Sequence, residues 1–446
     1  MPASLLLLAL FWSALPVAAT TTVIELEIDG AIGVATADYI SSGIDHAEDV
    51  GAELVIIKID TPGGLMKPTR EIVQRILAAS VPVAAYVTPA GARADSAGTY
   101  ILLSCHVAAM TPTSHLGAAT PVPLMNAAPP SEDDGDGDGD GEQSGSAADR
   151  KVMNDAVSYI RSLAERHGRN ADWAETAVTE AATLTATEAL EQGVIEFIAA
   201  DRDELLTQVD GFDVEIDGQS RPLSTSDVDI EAFEANWRIR LLTVISNPEI
   251  VLLLGLIGLY GLMYEGWNPG AIVPGVVGAI CLLLAAYALQ VLPVNYAGLA
   301  LILVGVALMV AEAYAPSFGA LGLGGIVAFV FGSVIMFDTG VPGFGISYVF
   351  VTGLGLVFAI LLIWLIGFLL KLRRRGAVSG RESIVGATAT AMEDFATTGK
   401  VWLEGEAWHA RSQEPVTKDE ELVVTRLDGL TLDVERAAAP TSPKHQ

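Results

Sequence analysis

Two kinds of hydrophobic pattern divide the chain. Between residues 241 and 370 apolar residues run almost unbroken, in stretches near the ~20 residues that a helix needs to cross a bilayer. Five spans are expected, near residues 248–264, 271–291, 296–314, 321–337 and 348–370. Turn-forming residues separate them at 267–270, 293–295, 316–319 and 340–345. Before residue 241 the apolar residues come instead in short runs between amphipathic stretches. Residues 23–28 read as a strand, and an amphipathic stretch follows to His46. The nearly continuous apolar run 54–60 fits a parallel strand covered on both faces. A helix through residue 78, a strand at 81–87, a helix at 96–104 and a short strand at 107–110 repeat the alternation. Strand–turn–helix repeats give an α/β domain with a parallel sheet, with chemistry at the carboxyl ends of the strands.

The alternation stops at residues 120–150, where Asp and Gly alternate from Asp134 to Gly141. A calcium loop is the tempting interpretation. The repeat lacks the spaced closing Glu of an EF-hand and its flanking helices, so a solvated, disordered acidic loop is the better account. Helices are expected again at 150–167, 172–180 and 187–192, then a closing strand at 193–200 and a stretch 209–228 leading into a linker. After the spans, short runs at 384–391, 400–403, 406–410, 422–427 and 431–434 fit a five-stranded OB-type barrel, bent at Gly386, Gly399, Gly405 and Gly429. Trp402 and Trp408 are expected in its core. Residues 437–446 read as a disordered tail.

Sidedness comes from both ends of the chain. Residues 5–14 form a short apolar run, and the small residues Val17 and Ala19 fit cleavage of a signal peptide, residues 1–19, after Ala19. No Lys or Arg precedes the run, so an uncleaved anchor helix is the alternative. Beyond the last span lies Lys371-Leu372-Arg373-Arg374-Arg375, the densest basic cluster, which the positive-inside rule puts in the cytoplasm. An odd number of spans (residues 241–371) then leaves residues 20–235 outside the cytoplasm and residues 377–436 inside. Glu265 and Glu312 fall at span ends, which weakens a functional reading of intramembrane charge.

Composition narrows the classes. The chain carries 54 acidic and 25 basic residues, a net charge of −29, so a basic nucleic-acid footprint is missing. Only seven of the basic residues are lysines, an acidic, lysine-poor balance that suits high salt. Cys105, expected in a core helix, and Cys281, in an apolar span, are not expected to pair. Two cysteines and six scattered histidines show no zinc or iron–sulfur spacing, and no cofactor is expected.

Two segments could carry chemistry. In Asp60-Thr61-Pro62-Gly63-Gly64, the glycines after a strand let backbone N–H groups approach a substrate closely. In Ala94-Asp95-Ser96-Ala97-Gly98-Thr99-Tyr100 a serine opens a helix, whose unpaired N–H groups and positive dipole end suit a developing oxyanion. Singly, these could be an ordinary turn and an ordinary N-cap. His115, nineteen residues after Ser96, is one candidate base; His106 is expected in a core strand or helix and is assigned no role.

Together the two segments resemble the membrane-bound long-form NfeD family, Clp-protease-fold serine proteases encoded beside stomatin-like proteins. The resemblance extends to Lys151-Val152-Met153-Asn154, Tyr159-Ile160-Arg161-Ser162-Leu163, Gly168-Arg169-Asn170, and the C-terminal Gly405-Glu406-Ala407-Trp408 and Gly429-Leu430-Thr431-Leu432. It implies a Clp protease/crotonase-like fold for the exported domain, a Ser–Lys dyad of Ser96 and Lys151, and an oxyanion hole from the amides of Gly64 and Ala97. An extended substrate would add beside Gly63 and Gly64. A lysine acting as base must be neutral, which desolvation and nearby positive dipoles favour. Between residues 20 and 240 only Lys58, Lys67 and Lys151 are available. The acidic insert directly before Lys151 departs from the pattern, so the dyad is expected to assemble once that loop orders. His115 does not match the histidine of Clp proteases.

The expected activity is a membrane-anchored serine endopeptidase cutting hydrophobic segments of membrane-associated proteins, with a stomatin-like protein as substrate or partner and a dimer implied by the resemblance. A scaffold for membrane microdomains with a vestigial site is the second reading. A crotonase-type acyl-CoA enzyme is the third, disfavoured because an exported domain meets no cytoplasmic CoA.

Overall fold

The computed structural model describes residues 21–122, 147–315, 317–338, 340–341, 343–374 and 381–437. The expected signal peptide, most of the acidic insert and nearly all of the tail lie outside the described residues. The alternating apolar positions of β1 (Thr21–Asp29) lead through α1 (Val34–Val50), which buries Ile40, Ile44 and Ala47, into β2 (Leu54–Asp60). Next come α2 (Met66–Leu77), β3 (Val83–Val87), β4 (Arg93–Asp95), α3 (Ala97–Ser104), β5 (Val107–Met110) and β6 (His115–Gly117). The order then runs α4 (Ala147–Arg166), α5 (Ala171–Thr179), β7 (Thr183–Thr185), α6 (Ala186–Glu191), β8 (Phe197–Ile198) and α7 (Arg202–Val209). It closes with β9 (Asp213–Ile216), β10 (Gln219–Pro222), β11 (Val228–Ala232) and α8 (Trp237–Ile245).

Six of these strands form one parallel sheet in the order β11-β1-β2-β3-β5-β8. Leu54, Val55, Ile56, Ile57 and Ile59 of β2 are all fully buried. Alternation sends Val55, Ile57 and Ile59 into one core and Leu54 and Ile56 into the other, as a sheet covered on both faces requires. A second sheet, β4-β6-β7, stands at the carboxyl end of the first and was not expected from the pattern. Its strands have three residues each, too few for a period-2 signal.

Two expectations about the end of this domain are corrected. The strand expected at 193–200 shrinks to Phe197–Ile198, because Gly193 turns at φ 68° and Val194 donates back to Ala189, closing α6. The stretch expected to lead into a linker holds an antiparallel hairpin, β9–β10, followed by β11, which pairs with β1 as the edge of the main sheet. In β11 no residue is fully buried, so its apolar pattern is faint and the open edge of β1 supplies its partner.

The membrane region contains α9 (Pro248–Trp267), α10 (Ile272–Val291), α11 (Tyr296–Tyr314), α12 (Ala320–Phe337) and α13 (Tyr348–Arg374), five helices long and apolar enough to span. Asn247 and Asn295 cap α9 and α11 with their side-chain oxygens. Within the hairpin α9–α10, Gly258 and Gly278 let the backbones touch; within α11–α12, Gly305 and Gly325 do the same. The two hairpins are copies of one pattern. Gly258, Glu265, Gly275 and Gly278 recur as Gly305, Glu312, Gly322 and Gly325, the 47-residue offset that also separates the contacting pair Trp267 and Tyr314. In each copy the glutamate covers the first turn of the next helix: Glu265 lies against Gly275, and Glu312, 2% exposed, accepts the Gly322 N–H at 3.3 Å. Each span-end glutamate thus lies at the N-terminus of the following helix.

After the short α14 (Arg381–Ile384), the strands β12 (Thr388–Ala391), β13 (Thr398–Leu403), β14 (Glu406–Ser412), β15 (Glu421–Asp428) and β16 (Thr431–Arg436) close a barrel in the order β12-β13-β14-β16-β15. Trp408 packs on the barrel core, but Trp402 does not. Val401 and Leu403 point inward, so alternation turns Trp402 out, 49% exposed, against expectation.

Candidate active site

The site starts where β2 leaves the main sheet. Thr61, fully buried, donates its N–H to the Arg93 carbonyl (2.8 Å) and accepts the Asp95 N–H (3.1 Å), hooking the end of β2 onto β4. Its hydroxyl then holds Gly63 twice, accepting the Gly63 N–H and donating to the Gly63 carbonyl, both at 3.1 Å. Gly63 sits at φ 118°, a conformation that side chains resist, and a Cβ there would stand 2.7 Å from the Ser96 Cβ. Glycine at 63 is therefore a consequence of how closely the serine approaches.

On the other side Ile32 donates to the Gly63 carbonyl and accepts from the Leu65 N–H, both at 2.9 Å. Both polar groups of Ile32 are thus used on the neighbours of Gly64, as in a parallel bridge. The N–H and carbonyl of Gly64 face the opposite edge. That is the open edge beside which an extended chain would lie.

Ser96 immediately precedes α3, with φ 52° and ψ −111°, an unusual conformation for a residue other than glycine. Its N–H donates to the Gly117 carbonyl at 2.8 Å. The ordinary N-cap reading fails, because the side chain makes no capping hydrogen bond and the hydroxyl has no hydrogen-bond partner among the described residues. Two further contacts fix this junction. Gly98 approaches Thr61 so closely that a Cβ would lie 2.6 Å from Cγ2. The buried Thr99 hydroxyl sits 2.8 Å from the Ala94 carbonyl and accepts the Gly117 N–H at 3.1 Å. All eight residues of α3 are buried. At its start the Ala97 amide is one of the N–H groups a helix leaves without an internal partner. Among the described residues neither the Gly64 nor the Ala97 amide donates a backbone hydrogen bond. Ser96, Gly63, Gly64 and Ala97 are therefore brought together with two free donors beside one hydroxyl.

Lys151 is not brought to Ser96. It stands in the exposed N-terminal part of α4 and makes no hydrogen bond or ion pair with any described residue. Further along, α4 is firmly docked. Tyr159 stacks on Tyr100 of α3 at 5.9 Å between ring centroids, and the Arg70 guanidinium lies 4.7 Å over the Tyr159 ring while pairing with Asp155. The helix that carries Lys151 thus packs on the helix that Ser96 opens.

His115 also makes no hydrogen bond to Ser96. Its Nε2 is 3.6 Å from Asp95 Oδ1, and Arg93 Nη1 is 3.6 Å from Oδ2 of the same carboxylate. Register explains the trio: Arg93 pairs with His115 in adjacent strands, and Asp95 lies two residues along the same face. Burial pushes the Asp95 carboxyl above its usual range, opposed by the charges of His115 and Arg93. His106, given no role, accepts the Val83 N–H through Nδ1 and packs against His167, as a core residue. Cys105 is buried and its thiol is pushed up to about 12, so it is unreactive. Among the described residues no group of three or more His, Cys, Asp or Glu stands together as a metal site.

Sequence reasoning missed Thr61, Thr99 and Gly117 as positioning residues. Thr61 and Thr99 lay inside the two motifs; Gly117 had no local signal, since its part depends on β6 returning beside Ser96. With a hydroxyl, two amides that donate no backbone hydrogen bond among the described residues and an open strand edge, the arrangement suits acyl transfer on an extended peptide.

Three family models match the chain: the NfeD1b N-terminal domain over residues 22–130, the NfeD integral membrane domain over 249–368, and the NfeD-like C-terminal, partner-binding domain over 381–436. The chain is 33% identical over 442 residues to the membrane-bound protease PH1510 of Pyrococcus horikoshii, covering 96% of this chain and 97% of that protein. It is 26% identical over 438 residues to the membrane protein NfeD1b of Bacillus subtilis, covering 92% and 91%. Among solved structures, the 1510-N membrane protease specific for a stomatin homolog from Pyrococcus horikoshii is 34% identical, with a TM-score of 0.42, covering 51% of this chain and 100% of that one.

Proposed function

The chain belongs to the NfeD family, and from that premise we propose that it is a membrane-anchored serine endopeptidase with Ser96 as nucleophile and Lys151 as base. The observation that carries the reading is the free hydroxyl of Ser96 between Gly63 and the Ala97 amide. Ser96 Oγ attacks the peptide carbonyl as Lys151 takes its proton, and the Gly64 and Ala97 amides bind the oxyanion. Collapse expels the amine, which takes the proton back, and water then hydrolyses the acyl ester by the same route. Lys151 follows the acidic insert directly, and the dyad forms when substrate draws that end of α4 to Ser96.

The substrate is an apolar, extended segment of a membrane-associated protein. A stomatin-like protein is the partner, in line with the specificity carried in the name of the Pyrococcus structure and with the description of the C-terminal family model as partner-binding. In this reading the α/β domain lies outside the cytoplasm and the barrel inside, supported by five apolar helices and the basic residues that follow them. One observation favours the scaffold reading instead: Lys151 makes no hydrogen bond to Ser96 here.

The test is cleavage of an apolar peptide from a stomatin-like protein by the full chain in detergent, against Ser96→Ala and Lys151→Ala. Loss of cleavage in both folded variants is expected. Cleavage retained by Lys151→Ala would move the base to His115, and an inactive parent chain would leave the scaffold.

A further inference from the structure

We propose that Phe344, in the connection between α12 and α13, is a specificity-determining residue that forms, with Leu65, an apolar wall of the peptide cleft; this rests on the proteolytic reading above. Phe344 and Ile346 lie outside the membrane helices yet are only 7% and 9% exposed. What covers them includes the α/β domain. Gly343 meets Ala31 so closely that a Cβ would stand 2.5 Å from the Ala31 Cβ. Phe344 Cζ lies 3.2 Å from where a side chain on Gly33 would begin. Leu65 and Ala31 join the same apolar cluster as Phe344, Ile346 and Val341.

These contacts fall on the strand pair that builds the cleft. Ala31 and Gly33 flank Ile32, and Ile32 is the residue that holds Gly63 and Leu65 on either side of Gly64. A membrane loop is therefore wedged against the backbone that presents the candidate oxyanion amide. A peptide laid along the free edge of Gly64 sends alternate side chains to opposite faces. Those directed to the loop side meet the half-buried Leu65, with Phe344 packed in the same apolar cluster behind it. The chemistry recognised is a bulky apolar side chain close to the scissile bond. The geometry also couples selection to the membrane, because the α/β domain by itself contributes Leu65 but not the phenylalanine.

Binding separates this inference from the catalytic one. Full-length Ser96→Ala chain in detergent micelles would be titrated with two fluorescein-labelled extended decapeptides, one leucine-rich and one with serines at the same positions. Introducing Phe344→Ser is expected to weaken the leucine peptide about tenfold or more, the worth of burying one large apolar side chain, and to leave the serine peptide unchanged. Phe344→Leu should recover most of the loss. Equal affinity of the leucine peptide for parent and Phe344→Ser, or equal weakening of both peptides, overturns the proposal. If Phe344→Ser lowers the melting temperature, Leu65→Ala on the facing wall must give the same selective loss, and its absence is equally fatal. A parent chain that binds selectively but cuts nothing sinks the protease and not the wall.

Discussion

The backbone amide of Ser96 donates to the carbonyl of Gly117 at 2.8 Å, so the candidate nucleophile is held by a strand that follows it by some twenty residues. Gly117 has φ 132°, and a Cβ there would stand 2.7 Å from the Thr183 Cα of the next strand. The candidate nucleophile is thus fixed by three elements: the turn after β2, the start of α3, and β6 braced by β7.

The first prediction concerns the turn. Gly63→Ala places a methyl group against the Ser96 side chain while leaving the hydrophobic core untouched. Cleavage should fall on the order of 100-fold, the scale of losing an oxyanion donor. Parallel measurement of kcat/KM and melting temperature checks it; the strained φ should lower the latter as well, at a cost of about 1–3 kcal/mol in stability.

Arg169 should matter for stability. It is 1% exposed in its side chain, pairs with Glu196 through Nε (2.8 Å) and Nη2 (2.9 Å), and donates from Nη1 to the Leu102 and Leu103 carbonyls at the end of α3. Arg169→Met keeps the bulk but strands the Glu196 carboxylate and those carbonyls. Removing one partner of a buried pair costs about 3–5 kcal/mol, readable as a shift in the denaturation midpoint.

Two histidines predict a pH window. Burial, with the nearby Arg166 and Arg169 charges, brings His106 down to about 4, and burial together with Arg169 and His106 brings His167 down to about 3. Both stay neutral in the fold while the unfolded chain takes up protons below about 6.5. Their contribution is therefore full above 6.5 and is lost as pH falls towards 4 and then 3, at about 1.4 kcal/mol per pH unit for each ring. Protonation would also break the bond from the Val83 N–H to His106 Nδ1. Melting curves of the parent and of His106→Gln/His167→Gln across pH 7 to 4 should differ in slope, with the shallower one in the variant.

In the membrane, Gly305→Leu should break the α11–α12 hairpin, since a Cβ there would lie 2.7 Å from the Gly325 carbonyl. A cost of about 1–3 kcal/mol or more is expected, seen as a lower melting temperature in detergent. Gly324→Leu is the control, because nothing lies within 4 Å of the Cβ it would add.

What the sequence determined rests on features whose signal is local. The run 54–60 is apolar because both faces of β2 are covered, so its parallel, buried character was legible before any coordinates. The five spans follow from length and composition alone, and Ser96, Gly63 and Gly64 stood out because turns and helix starts have strict residue preferences. Tertiary structure decided whatever depends on partners distant in the chain. The strand β11 has too few buried positions to announce itself, and exists because β1 leaves an edge open. The three-residue strands β4, β6 and β7 are too short to carry a period, yet they set the position of Ser96. The repeated hairpins hide in glycines and two glutamates that look ordinary until their contacts are seen. Phe344 read as part of a loop, and only the folded chain brings it to the strand that holds Gly64. Local preference specifies elements; long-range packing specifies which of them meet.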